Sequence, residues 1–318
     1  MKNILVVGGS YFVGRVLVEE LIKKSEYNVF VFNRGRIPLK LKGVTEIVGD
    51  REDEDHIRTA IPEREWHVLI DFCAYTPGHI QKMINSLPGT LNHYIFISTT
   101  TVYKNIRNIP IKEDAPKLST RQPELGPYAD YGIDKWRAEQ KLREMCEERG
   151  IRFTTMRPAF VYGKYNYAPR ESYFFDLLRE DKPIIIPDNG LALFSFVWVE
   201  DIAKIIIRSL GNEKVFDEVF NLSSEELVSY PRLVEVLEEV SEKSIEPMKM
   251  SVKEIDEKRI PLPFPLDSHF VYSGSKIQRV LDFEYTPFED GLRETYGFYQ
   301  RLQERKRQLA DRTKSDNA

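Results

Sequence analysis

Short apolar runs alternate with amphipathic stretches through the first half of the chain. NILVV (3–7), NVFVF (28–32), TEIVGD (45–50), HVLIDF (67–72), HYIFIS (93–98) and RFTTMRP (152–158) are compact and rich in branched residues. Such runs predict buried strands. Between them, FVGRVLVEELIKK carries apolar residues at 12, 13, 16, 17 and 21, a helical spacing. Helices are also expected over 53–61, over HIQKMINSL (79–87) and over the charged stretch 129–148. Strand–helix alternation of this kind predicts an α/β fold with a doubly wound, Rossmann-type parallel sheet.

After residue 160 the regularity weakens. Helices are expected near 171–180, over 200–210, from Tyr230 through Lys243 with Pro231 near the start, and from about 289 to 307. VFNLSS (219–224) reads as a strand, and 245–275, with Pro247, Pro261, Pro263 and Pro265, as mostly irregular. The last residues, RKRQLADRTKSDNA, have little apolar content and are expected to fray.

Composition narrows the function classes. The 318 residues carry 46 basic and 50 acidic side chains, a net charge of −4, so no basic field draws nucleic acid or anionic lipid. Two cysteines and five scattered histidines lack the spacing of a disulfide framework or a metal site, so no metal is expected. No apolar stretch reaches membrane-spanning length, and MKNILVVGG runs straight into a strand, so the expectation is a cytoplasmic protein.

The first strand opens into GGSYFVG. Gly8 would permit a tight turn, Gly9 a close backbone approach to a pyrophosphate, and Gly14 close packing of the helix that follows. Ser10, Tyr11, Phe12 and Val13 complete the loop, whose N–H groups would face the phosphates. Tyr11 stands where the common fingerprint has its middle glycine, at the mouth of the site or over the pyrophosphate. At the end of the second strand, Asn33 occupies the position of the acid that binds a ribose 2′-hydroxyl, and Arg34 and Arg36 follow. A neutral residue followed by bases suits a 2′-phosphate and favours NADP over NAD. Asp50 either accepts from the adenine amino group or caps the next helix; Arg51 beside it joins the cofactor set.

YGIDK places Tyr131 and Lys135 one helical turn apart on one face. The lysine charge would lower the phenol pKa and let Tyr131 act as a general base. FISTTTVY, at the carboxyl end of a strand, supplies hydroxyls where open α/β sheets place their sites.

GGSYFVG, ISTTTVY, YGIDK and RPAFVYG, in this order, resemble the extended and atypical short-chain dehydrogenase/reductase superfamily, of the NAD-dependent epimerase/dehydratase type. The resemblance covers roughly residues 2–302. It implies Tyr131 as base, Lys135 as its partner, Thr99 as the catalytic hydroxyl, and Pro158, Cys73 and Ala74 near the cofactor. It also implies a dinucleotide-binding domain over 1–163 and a smaller substrate lobe over 164–303, with about 194–224 returning to the first core and a polar tail from 304. A sugar-like substrate follows, possible partners for it being Thr100, Tyr162, Arg170 and Arg232; homodimers through two long helices are common in the family.

Three departures from the family pattern matter. Thr100 and Thr101 replace the Asp-Glu of nucleotide-sugar dehydratases, which disfavours that subtype. Phe194 replaces an arginine that contacts the substrate diphosphate. DFCAY (71–75) replaces the usual His-Leu-Ala-Ala. The reading is therefore an NAD(P)-dependent epimerase or oxidoreductase working at a carbinol carbon of a sugar. The alternative is a catalytically weak relative that senses cofactor or binds RNA.

Overall fold

A computed structural model describes residues 1–104 and 108–315. The first half runs β1 (Lys2–Val7), α1 (Phe12–Leu21), β2 (Tyr27–Asn33), β3 (Val44–Val48), α2 (Glu54–Ala60), β4 (Arg64–Trp66), β5 (Val68–Asp71), α3 (Pro77–Ser86), β6 (Gly89–Leu91), β7 (His93–Ile97), α4 (Tyr131–Arg149) and β8 (Arg152–Pro158). The second half runs β9 (Phe160–Tyr162), α5 (Glu171–Arg179), β10 (Ile185–Pro187), β11 (Phe194–Trp198), α6 (Val199–Ser209), β12 (Glu218–Leu222), β13 (Leu227–Val228), α7 (Tyr230–Ser241), β14 (Met248–Met250), α8 (Val252–Glu257), α9 (Ser275–Leu281) and α10 (Phe288–Ser315).

The chain divides into two compact units. The first comprises residues 1–159, 199–225 and 272–285. Its seven-stranded sheet has the order β12-β8-β7-β5-β1-β2-β3, with every neighbouring pair parallel. Parallel strands need both faces covered, and the sequence supplies apolar residues on both. Leu5, Val7, Phe30, Phe32 and Phe96 pack with Ile80, Met83, Ala138 and Leu142 of α3 and α4. Ile4, Val6 and Val31, one residue out of step, are buried with Val16 and Leu17 of α1 and Ile202 and Ile206 of α6.

Register brings the chemistry to one edge. Val7 pairs with Phe32 and Asp71, Asn33 with Val48, Asp71 with Phe96, and Ile97 with Met156. The strands therefore end at similar heights, and the loops after β1, β2, β3, β5 and β7 share the carboxyl rim, where open α/β sheets carry their ligands.

The second unit comprises residues 160–198 and 226–271 and the chain from Thr286 onward. β9 pairs parallel with β11, β11 antiparallel with β13, and β10 parallel with β14. Its core is aromatic: Phe194 stacks on Phe264 at 5.1 Å and Phe196 on Phe288 at 5.0 Å.

These contacts break the chain at 159/160, where the sequence reading expected 163/164. The returning segment is 199–225, against the expected 194–224, and 272–285 makes a second return that the sequence did not announce. The expected frayed tail is not observed up to Ser315: α10 stays helical past 307. RLQERKRQLADR consists largely of strong helix formers and contains no Gly or Pro. The final three residues of that expected tail lie outside the described residues. The irregular stretch 245–275 holds the short β14 and α8 and ends where α9 begins.

Candidate active site

The glycines after β1 are each required by what surrounds them. Gly8 has φ 90°, and a Cβ there would lie 2.1 Å from Cys73 Sγ. A Cβ on Gly14 would lie 2.7 Å from the Gly8 carbonyl oxygen, so this glycine lets α1 press on the loop backbone. Gly9 is tightly packed as well: its Cβ would meet Val18 at 2.9 Å and Val6 at 3.0 Å. The space it preserves is thus between helix and sheet, besides any approach to phosphate. Phe12 adopts φ 40°, a strained value for a bulky residue, at the first position of α1. Tyr11 precedes it with extended backbone and gives the helix no side-chain cap. No acidic side chain stands in the first turn of α1. That terminus suits an anion.

A cavity of about 450 Å³ opens beside this loop, lined among others by Gly8, Ser10, Tyr11, Arg34, Arg36 and Tyr75. Asn33 shapes its wall. The Asn33 Oδ1 accepts from Gly35 N–H at 2.6 Å, and Nδ2 donates to Glu46 Oε1 at 2.9 Å. Glu46 also accepts from Leu39 N–H at 3.3 Å. Both polar ends of Asn33 therefore hold the loop that presents the exposed Arg34 and Arg36. Asp50 is not the helix cap: Asp53 caps α2 by accepting from Asp55 and His56 N–H, while Asp50 Oδ1 accepts from Glu52 N–H.

Arg51, expected in the cofactor set, lines the same cavity, and its guanidinium is held by a buried partner. Its Nη1 donates to both Asp71 oxygens at 2.7 and 2.8 Å, and its Nη2 to the His79 carbonyl at 2.8 Å. Asp71, fully buried, also accepts from Tyr94 Oη at 2.5 Å and from Cys73 and Ala74 N–H. Burial acts to raise its pKa, but the Arg51 charge and these donors hold it below the carboxylate range. Arg51 and Asp71 form a buried strut that sets the loop after β5. Burial pushes the Cys73 thiol up to about 11, so it is a neutral wall residue. Ala74 is fully buried, with its N–H spent on Asp71.

The reactive set gathers around the end of β7. Thr99 follows it, and its Oγ1 accepts from Thr101 N–H at 3.1 Å and lies 3.0 Å from Thr101 Oγ1. α4 begins at Tyr131, and a Cβ on Gly132 would lie 2.6 Å from the Thr101 carbonyl oxygen. Only glycine lets the first turn of α4 seat so closely on the Thr99–Thr101 turn. One turn on, Lys135 is 2 % exposed and donates from Nζ to the Ile97 carbonyl at 2.8 Å. Burial brings its pKa down to about 8. The ammonium lies 4.8 Å from the Phe96 ring centroid and 4.9 Å from that of Tyr75, whose ring is 6.4 Å from that of Tyr131.

Below this set lies a buried network that sequence reasoning missed. Ser98 Oγ donates to Glu139 Oε1 at 2.5 Å, and Glu139 takes two bonds from Arg157 at 3.0 and 2.5 Å. Arg157 Nη1 donates to Tyr103 Oη at 2.8 Å, which donates to Asn221 Oδ1 at 2.6 Å. The network ties Ser98 and Tyr103, on either side of Thr99, to the sheet. The available signal was the spacing of Tyr131, Lys135 and Glu139, each four residues on. Tyr75, also missed as a site residue, had only the departure of DFCAY from the family pattern.

Several expected substrate contacts are occupied elsewhere. Thr100 is 6 % exposed and donates from Oγ1 to the Pro158 carbonyl at 3.3 Å. In the second unit, Tyr162 is 2 % exposed in the aromatic core, 5.3 Å from Phe288 and 5.6 Å from Phe196, because its side of β9 faces inward. Arg170 sits 5.6 Å over the Phe160 ring and donates to the Val161 carbonyl. Arg232 pairs with Glu226 at 3.2 Å and Glu235 at 3.4 Å. Phe194, in place of the family's arginine, is fully buried.

Residues 81–223 match the model of the NAD dependent epimerase/dehydratase family. The chain is 28 % identical over 314 residues to the chloroplast stem-loop binding protein of 41 kDa b of Arabidopsis thaliana, covering 93 % of this chain and 78 % of that protein. It is 26 % identical over 273 residues to an uncharacterized UDP-glucose epimerase, YtcB, of Bacillus subtilis, covering 75 % and 82 %. Among solved structures it is similar in fold to the UDP-glucuronic acid 4-epimerase of Bacillus cereus in complex with UDP-glucuronic acid and NAD. The TM-score is 0.73 at 19 % identity, covering 94 % of this chain and 99 % of the other. With its glycine loop, its seven parallel strands and Tyr131 and Lys135 on one turn of α4, the chain is similar to the NAD dependent epimerase/dehydratase family, whose model matches residues 81–223.

Proposed function

We propose that the protein is an NAD(P)-dependent epimerase or oxidoreductase that works at a carbinol carbon of a sugar carried on a nucleotide. The observation that carries this reading is the seating of Gly132 on Thr101, which holds Tyr131 and Lys135 against the turn that bears Thr99. The glycine cradle and the adjoining cavity fit a dinucleotide, with Gly8, Gly9 and Gly14 at its phosphates and Arg34 and Arg36 at the adenosine ribose. Such a cofactor supplies a hydride acceptor and donor. The chain supplies the proton work. Tyr131 Oη takes the proton of the substrate hydroxyl and returns it, Thr99 Oγ1 hydrogen-bonds the same oxygen, and Lys135 favours the phenolate by its charge.

Two finer points belong to the same proposal. NADP is preferred to NAD, because no carboxylate stands at position 33 and Glu46, on the neighbouring strand, is engaged by Asn33 and Leu39. Asp-Glu-type dehydration is disfavoured, since Thr100 and Thr101 carry no titratable group there and their hydroxyls meet Pro158 and Thr99. The RNA-binding alternative draws on the Arabidopsis relative's name, but a net charge of −4 gives a polyanion no attractive field. The test is Tyr131→Phe, assayed against a panel of UDP-sugars with NAD and with NADP. Turnover falls at least about a hundredfold, the size of a general-base contribution, and dinucleotide binding persists. Undiminished turnover refutes the assignment.

A further inference from the structure

Tyr75 holds a place that the reaction scheme leaves without a role. It follows β5 and is 48 % exposed on the wall of the cofactor cavity. The same ring lies 4.9 Å from Lys135 Nζ and 6.4 Å from the Tyr131 ring. Its backbone is fixed: Tyr75 N–H donates to His79 Nδ1 at 3.0 Å, and its ring packs edge-on to the His79 imidazole at 6.3 Å. The buried Arg51–Asp71 pair sets the turn just before it, through Cys73 and Ala74 N–H. One aromatic side chain on a braced loop thus touches both the cofactor cavity and the catalytic lysine.

Building on the functional reading above, we propose that Tyr75 is a positioning residue whose ring roofs Lys135 against water and offers its other face to the dinucleotide. The physical argument is geometric. Lys135 Nζ donates to Ile97 O and has two aromatic rings beside it, Phe96 and Tyr75. Phe96 is fully buried in β7, whereas Tyr75 stands on the solvent side. Removing Phe96 would open the core, but removing Tyr75 opens a path for water to the ammonium. The titratable groups around this lysine are Asp71 at the end of β5, Cys73 just after it, Arg51 after β3, Glu139 on α4, and the phenols of Tyr75 and Tyr131. Replacing the Tyr75 ring leaves all the others in place. It is therefore a change in water access with little change in charge.

The experiment uses the full chain and Tyr75→Ala, Tyr75→Phe and Tyr128→Ala, the last an exposed tyrosine on another segment. Trace acetylation with acetic anhydride at alkaline pH, read on the Lys135 peptide by mass spectrometry, reports access to the amine without any substrate. Fluorescence titration with NADPH and NADH reports cofactor affinity. Tyr75→Ala acetylates Lys135 faster than the wild type and binds dinucleotide about tenfold more weakly, equivalent to about 1.4 kcal/mol. Tyr75→Phe and Tyr128→Ala behave as wild type. Wild-type labelling and affinity in Tyr75→Ala, or a Tyr75→Phe that copies Tyr75→Ala, overturns the proposal, the second because the hydroxyl and not the ring would then matter. A wild-type protein that binds neither dinucleotide brings down the functional reading itself, an outcome separate from insensitivity to Tyr75.

Discussion

At the scale of single residues, the site depends on charges kept where water is scarce. Lys135 has its pKa lowered to about 8 by burial, against about 10.4 for a lysine in an unfolded chain. Between these values the unfolded state binds more protons, so stability rises with pH over that window. Below it the buried ammonium costs stability. Lys135→Met therefore raises the midpoint of urea unfolding at pH 7 by the equivalent of about 1–3 kcal/mol and flattens the rise between pH 8 and 10. Dinucleotide-dependent turnover is lost in the same variant. An unchanged midpoint with the rise retained would contradict this account. Asp71 has the opposite standing. Its pKa is held down, so its contribution is present above the ordinary carboxylate range and disappears as pH falls through it. Arg51→Met strands a fully buried carboxylate and costs about 3–5 kcal/mol, measurable in urea at pH 7.

At the scale of elements, α1 and α4 both seat on loop backbone through a glycine. Gly14 permits the first contact and Gly132 the second. The charged pattern of α4 gave the helix directly from the sequence, and the spacing of Tyr131 and Lys135 gave the face proposed as reactive. That Gly132 presses on Thr101 was not legible, because no local periodicity reports which distant carbonyl a helix will meet. Gly132→Ala pushes a methyl group to within 2.6 Å of the Thr101 oxygen and 2.7 Å of Leu118 Cδ1. The resulting strain costs about 1–3 kcal/mol, with turnover falling more than dinucleotide affinity because α1 and its loop are untouched. Equal loss of both would place the effect in the whole domain. For α10 the expectation differs: residues 304–310 are all exposed, so removing the chain from Glu304 onward shifts the melting midpoint by no more than the error of calorimetry.

At the scale of the whole molecule, a ligand that binds only the folded state stabilises it by mass action. On the proposed function, NADP at a hundred times its dissociation constant raises unfolding free energy by about 2.7 kcal/mol. Gly14→Ala, whose Cβ would crowd the Gly8 carbonyl, loses most of that increment at the same concentration. An equal increment in the variant would detach the glycine loop from the cofactor. The parallel sheet was legible because its strands are continuous apolar runs separated by helical spacing, a pattern few other folds share. The aromatic second unit was legible only as composition, since its strands have two to five residues and take their pairing from distant segments.

The sequence by itself determined the strand–helix alternation, the glycine loop, and the placing of Tyr131 and Lys135 on one turn of a helix, because each rests on spacing within a few residues. The tertiary structure alone decided what those residues touch. It paired Arg51 with Asp71 on the cavity wall, sent Tyr162 into a core, bonded Thr100 to Pro158, and drew Ser98, Glu139, Arg157 and Tyr103 together beneath Thr99. Partners such as Arg51 and Asp71 lie 20 residues apart, and Tyr103 and Asn221 lie 118 apart. Their meeting follows from sheet register and from the need to satisfy every buried charge, which only the assembled fold sets.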